Sequence, residues 1–173
     1  MADTPQYLTL KEHRDRGHPV ERVVRWTVLA LLTAISTAGL LNAFGEHPHS
    51  SRAAGRAAEL SVAAPTRLRG GLFYEGRFSV SAREDIGDAV LVLDPGWLEQ
   101  THINTIEPTP VEESGRDGRL SLGFGPVEAG ERLVVYLQFQ VNPTNVGRRS
   151  QRVELRDGAE LLASVDRTLT VFP

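Results

Sequence analysis

Twenty consecutive residues, Trp26 to Gly45, contain no Asp, Glu, Lys or Arg. As an α-helix at about 1.5 Å per residue, this run is roughly 30 Å long, the thickness of a bilayer's hydrocarbon core. It predicts one transmembrane helix over 26–45 and divides the chain into a short tail, 1–25, and a much larger part beyond. Trp26 and Phe44 stand at the two ends of the run, where aromatic rings favour the membrane interface.

Lys and Arg counts set an orientation. Within twenty residues of the run there are five on the amino side (Lys11, Arg14, Arg16, Arg22, Arg25) and two on the carboxyl side, Arg52 and Arg56. The tail is therefore expected in the cytoplasm and the C-terminal part outside, in a cell membrane crossed once. A cleaved signal peptide competes, because Ala38, Gly39 and Ala43 supply small residues near the end of the run. The 25-residue charged leader and the length of the apolar run favour an uncleaved signal-anchor. Ala30, Ala34, Ala38 and Asn42 recur every four residues on one helix face. Small residues at that spacing predict a packing face for another membrane helix, or for a second copy of this one.

Residues 46–56 are polar and small and read as a linker. From 57 to 173 the pattern changes to period-two alternation. In Arg132–Asn142 the positions Leu133, Val135, Leu137, Phe139 and Val141 face one way, with Val134, Tyr136, Gln138 and Gln140 on the other. Phe78, Val80 and Ala82 alternate with Arg77, Ser79 and Ser81, and the same holds for Leu120 with Leu122 and for Val153 with Leu155. Ala89–Leu93 is continuously apolar, Leu60 with Val62 opens the domain and Leu169 with Val171 closes it. Turn signals such as Asp94-Pro95-Gly96 and Asp117-Gly118 separate these runs. Seven to eight strands with no amphipathic helix between them predict an all-β, immunoglobulin-like antiparallel β-sandwich.

The stretch Phe78–Pro95, followed by Gly125-Pro-Val-Glu-Ala-Gly130 leading into the long strand at Tyr136, resembles the Ig-like modules of bacterial surface and membrane-anchored envelope proteins. The resemblance spans about residues 57–173 and implies a spacer, a stalk or a protein-binding surface. One departure is Glu84-Asp85-Ile86-Gly87, where such modules often place Asn before the turn glycine.

Chemistry is sparse. There is no cysteine, so neither a disulfide nor a thiol nucleophile is available, and a net charge of −3 gives no electrostatic reason to expect nucleic acid. His102 is the one histidine beyond the linker and no Gly-x-Ser-x-Gly elbow accompanies it, so a hydrolytic triad is not assembled. His47-x-His49 offers two imidazoles without a third ligand. Glu84, Asp85 and Asp88 share a turn but lack the alternating acids of a calcium loop. No catalytic residue, metal or cofactor is therefore expected.

Two features remain as a candidate binding surface. Trp97, beside a turn, either caps the core or offers a flat face to a ligand. Arg148, Arg149, Arg152 and Arg156 form a basic group, with 152 and 156 on one strand face and Glu154 between them. The leading expectation is a non-enzymatic membrane protein whose outer sandwich binds another membrane or envelope protein as an accessory or assembly subunit. The alternative is an envelope glycan or anionic polymer binder using Trp97 and the Arg152/Arg156 face.

Overall fold

The computed structural model describes residues 19–41 and 48–173, and the chain divides into two compact units, 1–45 and 46–173. In the first unit, helix α1 runs from Pro19 to Leu40. It reaches upstream of the expected Trp26, and Glu21 in its first turn complements the positive helix end. Val20, Val23, Trp26, Leu31 and Leu40 are each more than half exposed, and its apolar surface runs right around the helix. Thr27 donates to the Val23 carbonyl (2.9 Å) and Thr33 to that of Leu29 (2.8 Å). These bonds satisfy the two hydroxyls inside the helix, which lowers the cost of placing them in hydrocarbon. Of the predicted packing face, Ala30, Ala34 and Ala38 lie on α1, while Asn42 falls outside the described residues.

The second unit is a β-sandwich. In chain order its strands are β1 (Pro48–Ala54), β2 (Ala58–Pro65), β3 (Arg67–Arg69), β4 (Phe73–Ala82), β5 (Ala89–Leu93), β6 (Thr101–Glu107), β7 (Glu112–Arg116), β8 (Arg119–Gly123), β9 (Arg132–Val141), β10 (Gly147–Asp157) and β11 (Glu160–Phe172). Five of them form one sheet, in the order β1-β2-β4-β9-β6, and six the other, β3-β11-β10-β5-β8-β7. All pairings are antiparallel except that of β11 with β3.

Eleven strands among the described residues exceed the seven or eight expected, and the linker expected over 46–56 needs correction. Residues 48–54 are a strand, in register with β2 from Pro48 opposite Pro65 to Ala54 opposite Glu59. Only Ser51 and Ala53 of β1 are half-buried, so backbone pairing rather than apolar patterning holds it. The strand β7, Glu-Glu-Ser-Gly-Arg, is exposed throughout and is concealed from pattern reading for the same reason.

Alternation does place the core. Val135, Leu137, Phe139 and Val141 are buried from β9, Phe78 and Val80 from β4, Leu60 and Val62 from β2. The second sheet meets them with Leu91, Leu93, Leu122, Val153, Leu155, Val165 and Leu169. The β4–β5 turn is fastened from outside: the Asp85 carboxylate accepts from the Ala129 amide (2.8 Å), and Ile86 bridges Val127. Asp157 accepts from the amides of Gly87 (3.2 Å) and Asp88 (2.8 Å).

One glycine governs how a loop enters the core. The 3-10 turn Pro95–Trp97 lies so close to β10 that a Cβ on Gly96 would collide with the backbone carbonyl of Ser150. Gly96→Ala is expected to destabilise the sandwich by about 1–3 kcal/mol. Chemical denaturation should show a lower midpoint at unchanged m-value; an unchanged midpoint contradicts the close approach.

Candidate binding faces of the sandwich

Each sheet turns one face to the core and one to solvent. The five residues expected to make a binding surface do not share either.

Trp97 is fully buried, which corrects its assignment to a binding surface. Its indole N–H donates to the Arg152 carbonyl (3.1 Å), and its rings pack with Phe78 (5.3 Å between centroids) and Phe139 (5.4 Å). Tyr74 extends the stack onto Phe139 at 4.9 Å. The Arg167 guanidinium lies 5.5 Å from the Trp97 ring and donates to the carbonyls of Ala64 (2.6 Å) and Pro65 (3.1 Å). Burial lowers the pKa of Arg167, with Tyr74 acting in the opposite sense. Opposite Arg167 in register, the buried Gln151 donates to the Tyr74 hydroxyl at 3.3 Å. Trp97 is thus the centre of an aromatic and polar core cluster, with no face to offer a ligand.

The four arginines divide. Arg149 lies at the sheet's end, where it contacts the Glu99 carboxylate (3.3 Å) and donates to Asn145 (3.0 Å), while Arg148 is exposed. Arg152 and Arg156 do share the outer face of the six-stranded sheet, but they close on Glu154, whose side chain is only 5 % exposed. Arg156 makes two hydrogen bonds to one Glu154 oxygen, at 2.7 and 3.0 Å. Arg152 (3.5 Å) and Arg119 from β8 (3.7 Å) approach the other, and Arg119 also reaches Asp94 at 2.7 Å. Burial pushes the Glu154 carboxyl up, but the Arg156 hydrogen bonds and the charges of Arg156, Arg119 and Arg152 outweigh it and hold the pKa below the ordinary value. This basic group is largely neutralised from within. It does not present the open cationic face expected of a polymer binder.

Beside it a groove of about 490 Å³ runs over β5, β8 and β7, with Val90 and Val92 on its floor and Asp88, Glu112, Arg116 and Arg119 on its walls. Acids and bases alternate there, so it favours neither sign of ligand.

The outer face of the five-stranded sheet is different, and sequence reasoning missed it. A groove of about 330 Å³ has Ser61, Ala63, Ser79 and Ser81 as a floor of small side chains. Arg52 from β1, Arg77 from β4 and Arg132 with Tyr136 from β9 stand around it, all exposed. Among the described residues none of the three arginines has a carboxylate within ion-pair distance. The one lining carboxylate, Glu59, is engaged by Arg83 at 3.4 Å. The sequence signal was the Arg/Ser alternation in Arg77-Phe-Ser-Val-Ser81, legible only as an exposed face.

Among the described residues, no three His, Cys, Asp or Glu side chains are grouped so as to hold a metal. Asp85 is committed to its turn, His102 is exposed on β6, and His47 falls outside the described residues.

No family model matches the chain, and no curated protein matches it in sequence. Solved structures similar to it include cohesin modules. CaCohA2 from Clostridium acetobutylicum matches at 13% identity and a TM-score of 0.47, over 68% of this chain and 92% of that one. A non-cellulosomal cohesin from the archaeon Archaeoglobus fulgidus matches at 14% and 0.40, over 62% and 86%. A chain of a type I cohesin–dockerin complex from Clostridium thermocellum matches at 10% and 0.40, over 62% and 90%. All three scores lie below 0.5, so the likeness carries no argument about partner or function.

Proposed function

We propose that this chain is a single-pass membrane protein whose outer β-sandwich, a variant of the Ig-like surface module, binds another protein as an accessory or assembly subunit of a bacterial envelope. One observation carries the reading: a 22-residue helix with large apolar side chains exposed on every side belongs to the same chain as a separately packed sandwich. A helix of this kind, Val20–Leu40 at a mean hydropathy of 1.6, is stable in lipid rather than in water. The excess of Lys and Arg before it supports a cytoplasmic amino terminus. Ala30, Ala34 and Ala38 would form the seam for a partner helix, or for a second copy.

Two fractionation steps test the tether. Alkaline carbonate should leave the full-length chain in the membrane pellet, and protease added outside intact cells should digest the sandwich but spare the tail. A mature chain found in the soluble fraction without its first forty or so residues defeats the anchor. For the partner, a photo-crosslinker at Ala34 or on an exposed sandwich position should yield one discrete adduct with another protein. Recovery of no protein adduct from either position defeats the binding reading.

A further inference from the structure

We propose that the outer face of the five-stranded sheet docks an acidic, extended segment of the partner polypeptide. This deepens the reading above, since it rests on the partner being a protein, and it names the face and the chemistry of contact.

Charge is the first argument. The chain has more acids than bases overall, yet here Arg52, Arg77 and Arg132 stand around one groove with no carboxylate in ion-pair reach among the described residues. The contrast with the opposite sheet is internal to the molecule: there three arginines converge on Glu154 and are spent on it. A guanidinium presents a planar fork of donors suited to a carboxylate, so arginines without a carboxylate partner around a groove match an acidic chain, although Arg132 also donates to the Ser81 hydroxyl at 3.4 Å.

Shape is the second. Arg77 lies opposite Tyr136 and Ser81 opposite Arg132, so four residues along the strands separate the two arginine rows, about 14 Å at 3.4 Å per residue. Arg52 lies opposite Ser61, and Ser61 opposite Ser79, which sets it between those rows and about 10 Å to the side at 4.8 Å per strand. An extended peptide places residues i and i+4 the same 14 Å or so apart, so two of its carboxylates can meet Arg77 and Arg132 together. The serine and alanine floor admits a backbone closely and offers hydroxyls to its amides and carbonyls. Tyr136, 39% exposed, and the half-buried Val134 add an apolar contact that a peptide side chain uses and a bare polyanion does not.

The test uses the full-length protein in nanodiscs of uncharged phosphatidylcholine. The probe is a fluorescein-labelled twelve-residue peptide of alternating Glu and Ser, with a Gln/Ser peptide of equal length for comparison. Fluorescence anisotropy at low salt should show saturable binding of the Glu peptide that weakens as salt rises, and none of the Gln peptide. The double variant Arg77→Glu/Arg132→Glu should weaken it at least tenfold, while Arg148→Glu, on the other sheet, should leave it unchanged. Both variants sit at exposed positions, and unchanged melting temperatures verify that they fold. Equal binding by the Arg77→Glu/Arg132→Glu variant overturns the assignment. So does failure of the Glu peptide to bind while vesicles rich in phosphatidylglycerol are captured through the same arginines, which makes the ligand a lipid surface. If a protein adduct still forms with the crosslinker in native membranes, such a failure removes this face and leaves the protein-binding reading standing. If no adduct forms either, both fall.

Discussion

Replacing Trp97 by alanine is expected to remove about 3–5 kcal/mol from the stability of the sandwich, a large part of what a domain this size possesses. The indole is fully buried and contacts Phe78, Phe139 and Arg167. Its deletion opens a cavity whose walls are held apart by two sheets and cannot collapse inward. It also strips the Arg152 carbonyl of the indole donor and leaves the Arg167 guanidinium without its aromatic face. Thermal or urea unfolding of the full-length protein checks this, with Trp97→Phe losing clearly less. A Trp97→Ala variant within about 0.5 kcal/mol of the parent contradicts the packing described, because that is the range of an ordinary surface substitution.

Glu154 should produce the second large effect. Glu154→Ala leaves Arg119, Arg152 and Arg156 facing one another without their shared carboxylate. Breaking a buried pair costs about 3–5 kcal/mol; these arginines retain some solvent, so about 2–3 kcal/mol is expected. The same site makes stability depend on pH. Its folded-state pKa lies below the ordinary glutamate value, so its contribution is fully present above that value and is lost as pH falls through the depressed folded pKa. Parent and Glu154→Gln unfolding curves compared from neutral pH down through the carboxylate range should converge on acidification. A gap between them that stays constant over that range contradicts the assignment.

The core and the surface of this fold differ in how openly the chain declares them. Leu133 to Val141 is readable because every second residue is apolar, and burial at 135, 137, 139 and 141 follows from that parity alone. The polar strands β1 and β7 carry no such parity, since main-chain pairing stabilises them and sequence composition does not encode it. The surface was harder still. Arg152 and Arg156 are visibly on one face, but the burial of Glu154 between them depends on Arg119, brought across from β8 by way of β5. Arg52, Arg77 and Arg132 come from three strands, and only cross-strand register assembles them. Trp97 beside a turn reads equally well as cap or as ligand platform; the close approach at Gly96, which seats it inside, is a tertiary fact.

The strand β11 is the last element of the sandwich, yet it lies within its sheet, bonded to β10 on one side and to β3 on the other. It brings Ala163, Val165, Leu169 and Val171 to the interior, together with Arg167. During vectorial synthesis, therefore, β3 has no neighbour to pair with and the hydrophobic interior lacks the four apolar side chains of β11 until residues 160–172 have left the ribosome. A sandwich built in this order stays unlatched until its eleventh strand is in place.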